Sequence, residues 1–161
     1  MRWMLWALAI LLGAASTLAL TGKAEFRSET TIAAPPEKVW AVLTDPSTYP
    51  DWNPVLVKVE GTFGEGETVT TTVLFPDGDR TPLSGQVAKM VENALIQQKG
   101  GIPGFVTFNH IWRLDAVEGG TKVIQYEVDR GLYMWFWDSS WVGPAYQKAT
   151  DALKAYVEAK G

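Results

Sequence analysis

The sequence predicts a single α+β domain, in which an antiparallel sheet is covered by one long C-terminal helix and an apolar helix precedes the domain. Three observations carry this. Residues 55–129 read as runs of alternating apolar and polar side chains, separated by turn sequences with no helical pattern between them, which is the signature of an antiparallel meander. Residues 145–157 repeat apolar side chains at helical spacing. Residues 3–20 carry no charge. At 161 residues the chain is long enough for one well-buried core.

The uncharged run, WMLWALAILLGAASTLAL, lies between Arg2 and Lys23. As a helix it spans about 27 Å, close to the ~30 Å hydrocarbon core of a bilayer. A retained transmembrane anchor is favoured by this length and by Trp3 and Trp6 at one boundary. A cleaved signal peptide stays open, with Thr17-Leu18-Ala19 or, more weakly, Gly22-Lys23-Ala24 as its small-residue cut site. A buried helix of the domain fits less well, because the segment has no polar face. Arg2 and the amino terminus favour an N-inside orientation, with the domain membrane-anchored or exported on the non-cytoplasmic side. Residues 1–22 are therefore read as anchor or signal and residues 24–160 as the domain.

Residues 25–33, with Phe26, Thr30, Thr31 and Ile32, suit a first strand. Pro35-Pro36 ends it. Residues 36–43 then have proline and glutamate in the first turn and Val39, Trp40, Val42 and Leu43 on one side, a short helix opened by proline. Asp45-Pro46 stops it, and residues 47–52 form a further irregular turn or helix.

Val55, Val57 and Val59 open the period-two region, which turns in the glycine-rich residues 61–66. Residues 68–75 form the next strand, closed by Pro76-Asp77-Gly78-Asp79. Residues 80–91 return, Glu92-Asn93 turns, and residues 94–99 continue the sheet to a glycine-rich break at 100–104. Residues 105–117 form a long strand, Glu118-Gly119-Gly120 turns it, and residues 121–129 are the last strand. The final helix shows Ala145, Tyr146, Ala149, Ala152, Leu153, Tyr156 and Val157 on one face, with Gln147, Lys148, Asp151, Lys154 and Glu158 opposite. Pro144 fits near its start; a helix beginning near Ser139 would be kinked there. Its apolar face must pack on the sheet.

Composition removes several function classes. Fourteen Lys+Arg against 18 Asp+Glu give a net charge of −4, and no basic run exists to hold nucleic acid. Without cysteine there is no disulfide, thiolate metal site or thiol nucleophile. A lone histidine, His110, excludes sites built on two imidazoles. Residues 61–66 hold three glycines but open a strand rather than a helix, so they are no phosphate loop. No cofactor or metal is implied.

The run Ile32-Ala33-Ala34-Pro35-Pro36-Glu37-Lys38-Val39-Trp40, with Asp45, Tyr49 and Trp52-Asn53-Pro54 after it, resembles the opening signature of the START/polyketide-cyclase (SRPBCC) superfamily. Gly119-Gly120-Thr121 before the last strand and the amphipathic final helix fit as well, so the likeness covers residues 24–160. It implies a helix-grip fold, as in the major birch pollen allergen: a curved antiparallel sheet wrapped around the long C-terminal helix, with two short helices after the first strand. It also implies a cavity between sheet and helix for a hydrophobic small molecule. The superfamily spans carriers, receptors, cyclases and co-chaperones, so the fold alone does not assign an activity.

Candidate ligand-binding residues follow from where aromatic bulk is spent. Phe108, His110 and Trp112 share one face of the strand over 105–117, Tyr126 lies in the last strand, and Trp135, Trp137, Trp141 and Tyr146 crowd the passage into the final helix. His110 could bond a ligand or act as acid/base; it could equally be a core histidine with a structural partner. Trp135, Trp137 and Trp141 could plug the core, line the cavity or dip into a bilayer. Trp52, Asn53 and Pro54 are read as packing the junction of short helices and sheet. Glu127, Asp129 and Arg130 could anchor a head group, but solvated strand-end charges are the commoner case.

The leading expectation is carriage or sensing of a lipid, isoprenoid or polyketide-like compound at or outside a membrane, gated by residues 131–141 opening away from residues 100–104. A cyclase or dehydratase using His110 is the first alternative. A protein-interaction module, whose aromatics would fill the cavity, is the second.

Overall fold

The computed structural model describes residues 2–160. Helix α1 (Arg2–Thr21) leads through Gly22 directly into strand β1 (Lys23–Ile32). Helices α2 (Pro36–Leu43) and α3 (Tyr49–Trp52) follow, joined by a 3-10 turn at Pro46–Thr48. Six strands then run in succession: β2 (Leu56–Glu60), β3 (Thr68–Leu74), β4 (Arg80–Val91), β5 (Leu95–Ile102), β6 (Val106–Val117) and β7 (Gly120–Arg130). A 3-10 turn at Leu132–Trp135 precedes helix α4 (Val142–Ala159). The seven strands make one antiparallel sheet in the order β1-β7-β6-β5-β4-β3-β2, so the meander is complete and β1 closes its far side. This is the helix-grip architecture.

Proline at the first position starts α2, and its apolar spacing buries Val39 and Leu43. The Tyr49 hydroxyl donates to the Leu43 carbonyl at 3.0 Å and ties α3 to α2. Asn53, fully enclosed, accepts from the amides of Val55 and Leu56 through Oδ1 and starts β2. Helix α4 begins at Val142, which puts Pro144 in its first turn, where a missing N–H costs nothing; no kink is needed.

Two expectations shift. Strand β5 continues through Gly100 and Gly101 to Ile102 where a break was expected. The glycines serve packing: the Phe108 ring lies over the backbone, and a Cβ on Gly100 or Gly85 would sit 2.6 Å or 2.8 Å from it. Nor do Glu127, Asp129 and Arg130 stand at a sheet edge, because β1 pairs along the whole outer side of β7.

Alternation divides the inner face of the sheet into transverse rows. One row, Ser28-Gln125-Trp112-Ile96, is buried with Leu114, Val123, Val39, Leu43, Trp52, Leu153 and Val157 around the main core, and its last member, Met90, is half-buried against it. The next, Phe26-Glu127-His110-Gln98-Val87, and the one after, Ala24-Asp129-Phe108-Gly100-Gly85, lie toward the 131–141 segment. There the fold does not close on itself.

Candidate functional site

Between these last two rows and the start of α4 lies a cavity of about 310 Å³. Its floor is Gln98, Phe108, His110, Glu127 and Asp129; Val69, Thr71, Val73 and Leu83 form one wall, and Trp137, Trp141, Val142 and Tyr146 the roof. The aromatics pack on one another rather than into the space. Phe26 meets Trp137 and Tyr146 edge-on at 6.1 and 6.2 Å, and Trp141 meets Phe75 across the mouth at 5.1 Å. An apolar enclosure with a few convergent polar groups is the form small-molecule sites take.

The polar groups form one cluster. Gln98, His110 and Glu127 are direct cross-strand neighbours, and Asp129 lies one step further along β7. The Gln125 amide nitrogen lies 3.1 Å from His110 Nε2; donating there, it places the imidazole proton on Nδ1. Burial pushes His110 down to about 4, so the ring is neutral near pH 7. Tyr146 faces Glu127, and burial lifts its hydroxyl well above the usual range. Both carboxyls are held above their ordinary range. Burial is the first cause for each, and the neighbouring Asp129 charge adds to it for Glu127.

Of the residues singled out in the sequence, Phe108, His110, Trp137, Trp141 and Tyr146 converge on this cavity. The other three do not. Trp112 lies one row deeper, buried in the core with its ring edge-on to His110 at 5.6 Å. Tyr126 has the opposite parity on β7 and points to the outer face, paired with Arg27 and Ile111. Trp135 is 53% exposed, and its indole N–H donates to the Leu18 carbonyl of α1 at 3.0 Å.

Glu127 and Asp129 are the correction: the pair read as solvated strand-end charges faces the cavity, and only Arg130 is exposed. Their parity was the available signal, since both share it with Val123, which is an inward position of the same strand. Gln98 and Met134 also line the cavity and carried no sequence signal.

The first half of the 131–141 segment is fastened. Gly131 N–H donates to Gly22, Leu132 to Gly104 and Tyr133 to Phe105. Gly22 and Gly131 approach so closely that a Cβ on Gly22 would lie 2.1 Å from the Gly131 carbonyl oxygen.

The chain resembles several solved structures. The aromatase/cyclase Zhui from Streptomyces sp. R1128 is 18% identical, with a TM-score of 0.69 over 86% of this chain and 95% of its own. Ara h 8.0201 is 18% identical, with a TM-score of 0.62 over 86% and 99%. An uncharacterised protein from Rhizobium leguminosarum is 21% identical, with a TM-score of 0.66 over 85% and 95%. At these identities the likeness establishes the fold. No curated protein matches. Residues 23–158 match the family described as polyketide cyclase / dehydrase and lipid transport, and the chain belongs to that family.

Proposed function

We propose that this member of the family binds a hydrophobic small molecule, such as a lipid, isoprenoid or polyketide-like compound, in the cavity between sheet and α4, at a membrane to which α1 holds it. The observation that carries the reading is the open apolar cavity over a polar floor. Burying ligand there is worth about 25 cal/mol per Å² of apolar area, and the floor sets orientation. The open space supports this reading over an interaction module, which expects the aromatics to fill it.

The membrane side rests on α1 and its surroundings. Trp3–Thr21 is long and apolar enough to cross a bilayer. Where it ends, Ile102, Phe105, Tyr133, Trp135 and Phe136 stand exposed, Phe136 at 76%. Apolar rings beside the end of a span are what an interface accepts, so the mouth faces lipid and the domain takes its ligand from there.

A second reading, a cyclase or dehydratase, is favoured by the buried acid–base groups on the cavity floor. Neutral His110 could donate its Nδ1–H to a substrate carbonyl, and a protonated Glu127 could supply a proton to a leaving hydroxyl. Turnover lost in His110→Ala and Glu127→Gln at near-constant affinity would mark an enzyme.

Photocrosslinking tests the binding reading. With p-benzoylphenylalanine in place of Tyr133, irradiation of membranes holding the full chain gives a small-molecule adduct; the same replacement of outward-facing Tyr126 gives none. Equal or absent adducts at both positions contradict it.

A further inference from the structure

Glu127 and Asp129 enter the cavity from alternate positions of β7, and among the described residues no lysine or arginine lines it. Their partners are few. Tyr146 faces Glu127, while His110 Nε2 is taken by Gln125. Asp129 is only 5% exposed, and its Oδ1 has no hydrogen-bond partner among the described residues. A buried acceptor without a donor is costly, and a ligand that brings the donor recovers that cost.

We propose that the cavity takes a cationic amphiphile, with a protonated amine seated on Asp129 and Glu127 and a ring-containing apolar body against Phe108, Trp137 and Trp141. The proposal rests on the ligand-binding reading above and narrows it to a head group. An ammonium brings up to three donors and a charge, so it offers the Asp129 carboxyl a charge-assisted bond. A carboxylate or phosphate head would face two acids with nothing basic to offset them. A hydroxyl supplies one neutral donor and no charge.

Proton linkage follows. The titratable groups facing the pair are His110 from β6, Tyr146 from α4 and Tyr133 from the 132–135 turn. Strand β1 places only Ala24 and Phe26 in the same rows. None of these supplies a positive charge near neutral pH. The empty pair therefore retains a proton that an ammonium displaces, and amine binding tightens as pH rises from about 6 to about 8.

The test is calorimetry on the full chain in lipid nanodiscs, with empty nanodiscs as blank and three probes of similar shape: 2-(1-naphthyl)ethylamine, 2-(1-naphthyl)ethanol and 1-naphthylacetate. The amine should bind about tenfold or more tightly than the alcohol, and the acid should not bind. Glu127→Gln/Asp129→Asn should bring amine and alcohol within about twofold of each other, a gap of ~0.4 kcal/mol. Asp129→Asn alone serves if the double variant does not fold, and should remove most of the preference. An acid that binds as well as the amine, or an amine preference that survives both variants, overturns the proposal. Alcohol binding with no gain for the amine overturns this proposal alone; no binding by any probe overturns the ligand-binding reading with it.

Discussion

His110 and Glu127 stand directly opposite each other across the β6–β7 pair, and both side chains enter the cavity. Burial drives both toward their neutral forms, the imidazole by lowering its pKa and the carboxyl by raising it. The pair thus shares a neutral imidazole and a carboxyl that keeps its proton near neutral pH.

Stability should fall with rising pH. Glu127 is pushed up to about 8 and Asp129 to about 7, both above their unfolded values. From about pH 4 to about pH 8 the unfolded chain has released protons that the folded chain keeps, so each unit of pH lowers stability. Melting temperatures of the full chain should drop between about pH 5 and pH 8.5. In Glu127→Gln/Asp129→Asn that slope should flatten, and the variant should be the more stable form at the alkaline end by about 2–4 kcal/mol. Parallel slopes for the two proteins would contradict the burial of these carboxyls.

Gly100→Ala should cost about 1–3 kcal/mol, because the added methyl meets both the Phe108 ring and the Ser84 carbonyl oxygen, 2.5 Å away. Phe108→Ala removes one of the two obstacles. Denaturant unfolding of the double variant should therefore show less destabilisation than the sum of the singles. Additivity would show that the ring does not rest on Gly100.

The natural absence of cysteine makes single-site labelling clean. An environment-sensitive fluorophore on Phe136→Cys, in the exposed rim beside the end of α1, should emit from an apolar setting in vesicles and be quenched by spin-labelled lipid. The same label on Glu118→Cys, at the opposite end of the β6–β7 hairpin, should report water. Equal signals from both positions would remove the membrane-facing mouth.

Gating should map to Trp141 and not to Leu132. A short cross-link between Phe75→Cys and Trp141→Cys, whose native rings lie 5.1 Å apart, should slow uptake of the naphthyl probes about tenfold or more. A cross-link from Leu132→Cys to Gly104→Cys should change little, since the backbones there are already hydrogen-bonded. Slowing by the second and not the first would place the gate elsewhere.

The strands, the short helices and α4 were legible because each rests on local chemistry: Pro36 at a helix start, Asp77-Gly78 in a turn, Tyr146 to Val157 at helical spacing. The inward face of β6 was legible for the same reason, since Trp112 and Leu114 fix the parity of His110. Glu127 and Asp129 were misplaced because acidic residues at a strand end usually meet water. They are no edge residues because β1 pairs along β7 from just over a hundred residues away in the chain, and α4 with the segment before it covers them. Tyr126 and Trp135 failed as cavity residues for a related reason. Aromatic type does not tell which face a residue takes, and the contact of Trp135 with Leu18 depends on where α1 ends.

In the function proposed, a small molecule with an apolar body occupies the cavity. Native mass spectrometry of the full chain, released from nanodiscs, measures that directly, with Leu83→Trp as a variant whose indole fills the mouth. A bound mass of a few hundred daltons on the natural chain, absent from Leu83→Trp, is the result predicted. An unliganded natural chain, even after incubation with a total lipid extract, would contradict it.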